Sequence, residues 1–206
     1  MKTYTISELE PEAKERALQS IIDDRNFQEK DVDLDWVIEA EEEELEAEFG
    51  LANVEISFSG FWSKGDGASF TGRVVDIPKF IRAIGIKDEI LDKAMQALED
   101  VYEMSIVRID SRYVHENTVR FDLDPIDDTE LILMSPFGIG DITLDLNDLL
   151  VEIGLEDKAS KWVKERSREI YDKLEKAYEY EFSGEVAEEW ADQWEIQFDE
   201  EGNEIN

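Results

Sequence analysis

The sequence predicts an α+β fold: an antiparallel sheet of about four strands, made of two hairpins, packed against several helices and followed by a long C-terminal helix. Three observations predict it. Residues 53–76 and 102–123 each alternate with the period of a half-buried strand on both sides of a turn. Apolar residues recur at helical spacing before, between and after these hairpins. The most continuous of the helical stripes runs from Leu155 to Phe182. At 206 residues and 42% hydrophobic, with no stretch of linker composition, the chain is expected to form a single acidic α+β domain over residues 1–206.

In order along the chain, Met1 to Ile6 suggests a short strand. Pro11 suits a first helical position, and Leu9, Ala13, Ala17 or Leu18, and Ile21 supply the inward stripe of a helix to about Ile22. A second helix is expected from Asp31 to Phe49, with Leu34, Val37 or Ile38, Leu45 and Phe49 inward, Glu41 interrupting the stripe and Gly50 as the stop. In the first hairpin Val54, Ile56 and Phe58 alternate with Glu55 and Ser57. Beyond Ser63-Lys64-Gly65-Asp66-Gly67 the pattern resumes at Phe70, Gly72 and Val74, the glycines and Asp66 suiting a reversal. Asp76 and Pro78 open a short helix, Lys79 to Ile84, closed by Gly85. Asp88 can cap another that carries Ile90 or Leu91, Leu98 and Val101.

The second hairpin pairs Tyr102–Ser111 with Val114–Leu123 across a turn near Arg112-Tyr113. Asp141 to Ile153 suggests a helix ended by Gly154, although Thr143 and the alternation at Leu144-Asp145-Leu146 leave a strand start open. Arg166 interrupts the stripe of the long helix and is expected to snorkel or pair. Glu185 to Trp190 forms a further helix, and Trp194 to Phe198 a terminal strand.

The 54 acidic against 21 basic residues give a formal net charge of -33, and the deficit is patterned. Residues 31–63, 121–157 and 177–206 hold eleven acids each and no Lys or Arg, so the rest of the chain is neutral. Direct nucleic-acid binding is set aside, because phosphate recognition needs clustered cations. The complementary reading is that the protein offers a basic partner what DNA offers. Ten acids within residues 31–48 give about one charge per 2.7 Å of helix, against about one per 1.7 Å for duplex DNA. Solvated helix faces and added solubility are the plain alternative.

Catalytic signals are absent. There is no cysteine and no G-x-S-x-G elbow, and the single His115 excludes a two-histidine metal centre. No enzyme activity and no cofactor are expected. The Gly65-Asp66-Gly67 turn lacks a phosphate-loop frame, and its plain reading is a hairpin turn. No run of about eighteen apolar residues suggests a membrane span. Phe61 and Trp62 lie on opposite faces of the first hairpin, so one is expected outside the core. Trp190 and Trp194 stand among carboxylates, as aromatics of an interaction surface do.

Met1-Lys2-Thr3-Tyr4-Thr5-Ile6-Ser7-Glu8-Leu9, Phe58-Ser59-Gly60-Phe61-Trp62-Ser63 continuing into Gly65-Asp66-Gly67-Ala68-Ser69-Phe70, and Tyr178-Glu179-Tyr180 resemble a family of tailed-phage and prophage proteins, often labelled antitoxin-like. Lys64 replaces a glutamine of that pattern, and a His-rich second hairpin is reduced here to Tyr113-Val114-His115-Glu116. The resemblance implies an accessory phage protein in the host bacterial cytoplasm, a setting in which inhibitors of host defence are common.

The expectation is therefore a phage-encoded, non-enzymatic inhibitor of a host defence or DNA-processing protein, with a basic or nucleic-acid-binding host protein as partner and a homo-oligomer left open. The contact residues expected are Asp31, Asp33, Asp35, Glu39, Glu42, Glu43 and Glu46, then Trp62 and Asp66, then Asp122, Asp124, Asp127 and Asp128, and finally Glu188 and Glu189. A small-ligand or metal-binding module at Asp66, or an antitoxin-like toxin-binding protein, is the alternative.

Overall fold

The computed structural model describes residues 2–28, 32–86, 102–125, 131–134, 141–144, 150–151 and 153–205, by backbone alone at 25–28, 125, 131–134 and 141–144. In chain order come a 3-10 turn (Ile6–Glu8), α1 (Pro11–Gln28), α2 (Asp35–Phe49), β1 (Leu51–Phe58), β2 (Ala68–Val74), α3 (Ile77–Ala83), β3 (Tyr102–Arg108), β4 (Val119–Pro125), β5 (Leu131–Met134), β6 (Asp141–Leu144), α4 (Leu155–Glu181) and α5 (Gly184–Gln193). They gather into two compact units. One is Val37–Lys173; the other joins Met1–Trp36 to Leu174–Asn206, so the boundaries fall inside α2 and α4.

The Val37–Lys173 unit holds a four-stranded antiparallel sheet in the order β1-β2-β3-β4, and the fold is α+β as the alternation and the helical stripes predict. Register sets the faces. Ile56 stands opposite Phe70, Gly72 opposite Ile106, and Ile106 opposite Phe121, which aligns the apolar residues of all four strands on one side. The other side carries Glu55, Arg73, Glu103, Arg120 and Asp124, as in an antiparallel sheet covered on one face. On the apolar side Trp162 of α4 meets Phe70 edge-on at 5.9 Å, Phe80 of α3 edge-on at 5.5 Å and Phe49 of α2 at 5.0 Å. Phe80 also stacks on Phe121 at 5.6 Å. Phe70 and Phe80 are wholly buried, each contributing about 1.5–3 kcal/mol of apolar burial.

Glycine is required where α2 turns into β1. Gly50 has φ 70°, accepts from Val75 N at 2.9 Å and Asp76 N at 3.0 Å, and would bring a Cβ to 2.7 Å from Asp76 Cβ. Asp76 then caps α3 through Lys79 N at 2.9 Å, with Pro78 in the first turn. β5 and β6 form a separate antiparallel pair, Leu131 opposite Leu144 through Met134 opposite Asp141.

The other unit closes around Ile6, Leu9, Ala13, Ala17 and Ile21 from the first segment and Ala187, Ala191 and Phe198 from the last. Tyr4 and Phe198 exchange backbone hydrogen bonds of 2.9 Å each way. The backbone at Gly202 lies so close to the Ala13 carbonyl that no Cβ fits there.

Several boundaries differ from the periodicity, each for a local reason. The first helix continues to Gln28, since neither Gly nor Pro follows Ile22 to stop it. The second begins at Asp35 instead of Asp31, because Asp33 Oδ1 accepts from Asp35 N at 3.0 Å and turns the chain first. β4 starts at Val119, since His115 to Thr118 closes a turn through Thr118 N to His115 O at 2.8 Å. Asp141–Leu144 is a strand, the reading that Thr143 left open. Tyr4 and Phe198 form an isolated bridge in place of the expected end strands, and Trp194 caps α5. The helix expected after Asp88 lies outside the described residues.

Candidate protein-interaction surface

The carboxylates of α2 divide between internal and external roles. Glu41, which breaks the apolar stripe, is 5% exposed and receives Arg166 Nη2 at 3.1 Å together with Lys173 Nζ. Arg166 also reaches Glu44 at 2.7 Å and Glu169 at 3.0 Å, and its guanidinium lies 5.5 Å from the Phe49 ring centroid. The buried arginine and carboxylate are tolerated because each neutralises the other. Burial opposes ionisation of Glu44, but the charges of Arg166 and Lys173 outweigh it and hold its carboxyl below the ordinary value of 4.5. On the next face, Glu42 Oε1 accepts from Ile56 N at 2.9 Å and Glu46 Oε1 from Val54 N at 3.3 Å. β1 is an edge strand of the sheet, and these two side chains satisfy two of its outward amides. Asp33, Asp35, Glu39 and Glu43 remain exposed, as does Trp36, which the sequence-based list omits.

At one end of the sheet the two hairpin loops lock together. A Cβ on Gly67 would lie 2.5 Å from His115 Cβ, Ser59 Oγ donates to Val114 O at 3.0 Å, and Arg168 of α4 holds Glu116 at 3.0 Å. Asp66 is absorbed by its own loop, its Oδ2 accepting from Trp62 N at 2.8 Å and Ser63 N at 2.5 Å. Trp62 is 80% exposed, the side of the hairpin left outside the core, while Phe61 stacks near Phe58 at 5.6 Å. The charges here are mixed: Lys64, Arg112 and Arg168 stand beside Asp66, Asp110 and Glu116. Among the described residues no group of three or more His, Asp or Glu side chains is arranged to hold a metal. Asp122 pairs with Arg120 at 2.7 Å and Asp124 stands opposite Glu103 on the polar sheet face. Asp31, Asp127 and Asp128 lie outside the described residues.

The third acidic window is the C-terminal one. Residues 177–206 contain eleven acids and no Lys or Arg. Lys14 reaches in from α1 to pair with Glu188 at 2.6 Å, and Asp199 folds its carboxylate onto Glu201 N, Asn203 N and Asn203 Nδ2, each at 2.9 Å. Those bonds, led by the Asn203 side chain, hold Asp199 below the ordinary carboxylate range. Glu185, Glu189 and Asp192 stay exposed on α5. Tyr180 registers the first two, its hydroxyl pushed above the ordinary phenol value first by Glu185, then by partial burial, then by Glu189 and Glu181.

α5 ends in a Schellman closure, Ile196 N to Ala191 O at 2.9 Å and Glu195 N to Asp192 O at 3.2 Å. The residue in the left-handed position is Glu195, φ 51°, where glycine is the usual occupant. Trp194 is 62% exposed and lies 5.6 Å from Trp190, which packs against the unit's core. Tyr180 and Glu195 were missed from sequence. The available signal was the absence of glycine after Gln193, where the helical stripe stops.

No described helix is long and apolar enough to cross a membrane. Comparison with curated proteins and with solved structures finds no match. A family model, described as a domain of unknown function, matches residues 34–184, covering the sheet, α2, α3 and all of α4, and on that match the chain belongs to the DUF8835 family.

Proposed function

We propose that this chain is a non-enzymatic binding protein that occupies a basic, nucleic-acid-binding partner through carboxylate-rich surface. In the phage setting that the Phe58–Phe70 segment resembles, the partner is a host defence or DNA-processing protein in the bacterial cytoplasm. The observation that carries the reading is the third window, whose eleven acids have no Lys or Arg among them and whose Glu185, Glu189 and Asp192 on α5 face solvent. Steering of a cationic surface needs a net negative field of this kind.

Fewer carboxylates of α2 are available to a partner. Of the eight acids on α2, four are engaged by Arg166, Lys173 or β1, leaving Asp35, Glu39, Glu43 and Glu48, about one per 5.6 Å of helix. That is well short of duplex DNA, so α2 contributes an outer row of Asp35, Glu39 and Glu43 and the C-terminal segment contributes the dense field.

The test is capture followed by competition. Immobilised protein should hold a DNA-binding protein from bacterial lysate at about 50 mM salt and release it by about 500 mM. Once purified, that protein should lose its DNA affinity when the acidic chain is added. Retention of no DNA-binding protein, or a ternary complex in which DNA and this chain bind the target together, would refute the proposal.

A further inference from the structure

We propose that the polar face of the four-stranded sheet binds a second copy of this chain, the two sheets packing face to face about a twofold axis that runs along the strands between β2 and β3. This contact is separate from the capture of a basic partner and does not depend on it.

The centre of that face is small and uncharged: Thr71, Ser105 and Val107, each half-buried. Charge lies around it and is mostly answered in place. Arg73 holds Glu103 at 3.3 Å and Arg120 holds Asp122 at 2.7 Å, which leaves Glu55 on β1 and Asp124 on β4 without an ion pair among the described residues. An uncharged centre with a charged rim is the anatomy of a protein interface. At a net charge of -33 a second copy is repelled except where charge is locally answered in this way. Pairing edge to edge at β1 is opposed, because Glu42 and Glu46 hold two of its outward amides.

Register decides how the copies fit. Glu55 stands opposite Thr71, Val107 stands opposite Arg120, and the Gly72–Ile106 pair sets Thr71 beside Val107. These four residues form one row across the sheet, with an exposed carboxylate at one end and an exposed guanidinium at the other. Rotation about an axis along the strands between β2 and β3 exchanges β1 with β4 and keeps each row. Glu55 then falls on Arg120 of the second copy, once on each side of the axis, and Thr71 falls on Val107. In the next row Arg73, opposite Ser105 in its own sheet, falls on Ser105 of the second copy. Sheets stacked about 10 Å apart and within about 30° of alignment bring side chains as long as Glu and Arg into reach. Four strands about 4.8 Å apart and seven residues of about 3.4 Å rise give roughly 450 Å² per copy. The total of about 900 Å² is below that of stable complexes, so the dimer is a weak one that forms with concentration.

Sedimentation velocity on the full chain tests this, at about 300 mM salt to screen the net charge. The parent should pass from monomer to dimer between about 10 μM and about 1 mM. Glu55→Arg or Arg120→Glu alone should weaken the dimer at least about tenfold, because each reversal sets two pairs of like charges across the axis. The two reversals together should restore the parent's affinity to within about threefold, the coupling expected of residues in contact. Val107→Lys, which places a charge at the centre, should leave a monomer at every concentration, with circular dichroism confirming the fold of each variant. A parent that stays monomeric at about 1 mM removes the dimer. A dimer that survives Val107→Lys or either single reversal, or that the paired reversals fail to restore, removes this face and this axis.

Discussion

Glu41 is a carboxylate that the fold could bury only by placing Arg166 and Lys173 beside it. Arg166→Ala strands that charge in an apolar seam and should cost about 3–5 kcal/mol in chemical denaturation, whereas Glu41→Leu combined with Arg166→Met should be close to neutral or stabilising. Glu44 tests the same network by pH. Its folded pKa is depressed below 4.5, so its contribution is complete above that value and is lost as pH falls through the lower folded value. An acid titration of Glu44→Gln should therefore lack part of the stability loss that the parent shows below about pH 4.5. Glu195→Gly should raise stability by about 1 kcal/mol by relieving the left-handed conformation, measurable as an upward shift in Tm. Of these residues, Glu41 and Arg166 were legible as breaks in apolar stripes, and Arg166 was expected to snorkel or pair. Their pairing with each other was not, since 125 positions separate them and periodicity carries no information about which helices meet.

At the scale of elements, α2 protects the sheet by chemistry as well as by coverage. Glu42 and Glu46 occupy two outward amides of β1 that another strand would otherwise seek. Glu42→Ala with Glu46→Ala should lose roughly 1 kcal/mol per bond and speed hydrogen exchange at Val54 and Ile56 above all other β1 amides. The hairpins, α3 and α4 were legible because period and end signals agree: Gly50 and Asp76 bracket the first hairpin and its helix, and Leu155 to Phe182 never loses phase. What the pattern missed lies where side chains or caps stop an element early. Asp33 turns the chain before α2, His115 to Thr118 delays β4, and the Schellman closure at Glu195 ends α5 before a strand can start. The same side-chain chemistry made α2 look like free surface, since a carboxylate facing a neighbour's backbone and one facing water are identical in sequence.

Across the whole molecule, a formal charge of -33 sets two opposite responses to salt. Screening relieves self-repulsion, so Tm should rise by several degrees between about 20 and 300 mM salt. Screening also weakens capture of a cationic partner, so affinity should fall over that same range. A parallel rise in both would separate binding from the carboxylates. The candidate surface was legible as three base-free windows, but which window keeps its field depended on contacts that composition cannot rank: Arg166 and Lys173 quench part of the first, Arg120 answers Asp122 in the second, and the third meets Lys14 at Glu188.

The bridge between Tyr4 and Phe198 carries a consequence for biosynthesis. During translation α1 leaves the ribosome before the whole sheet, whereas Ala187, Ala191 and Phe198, which shelter its apolar stripe, leave after it. Until they follow, that stripe has no partner from the last segment and is open to a chaperone or a protease.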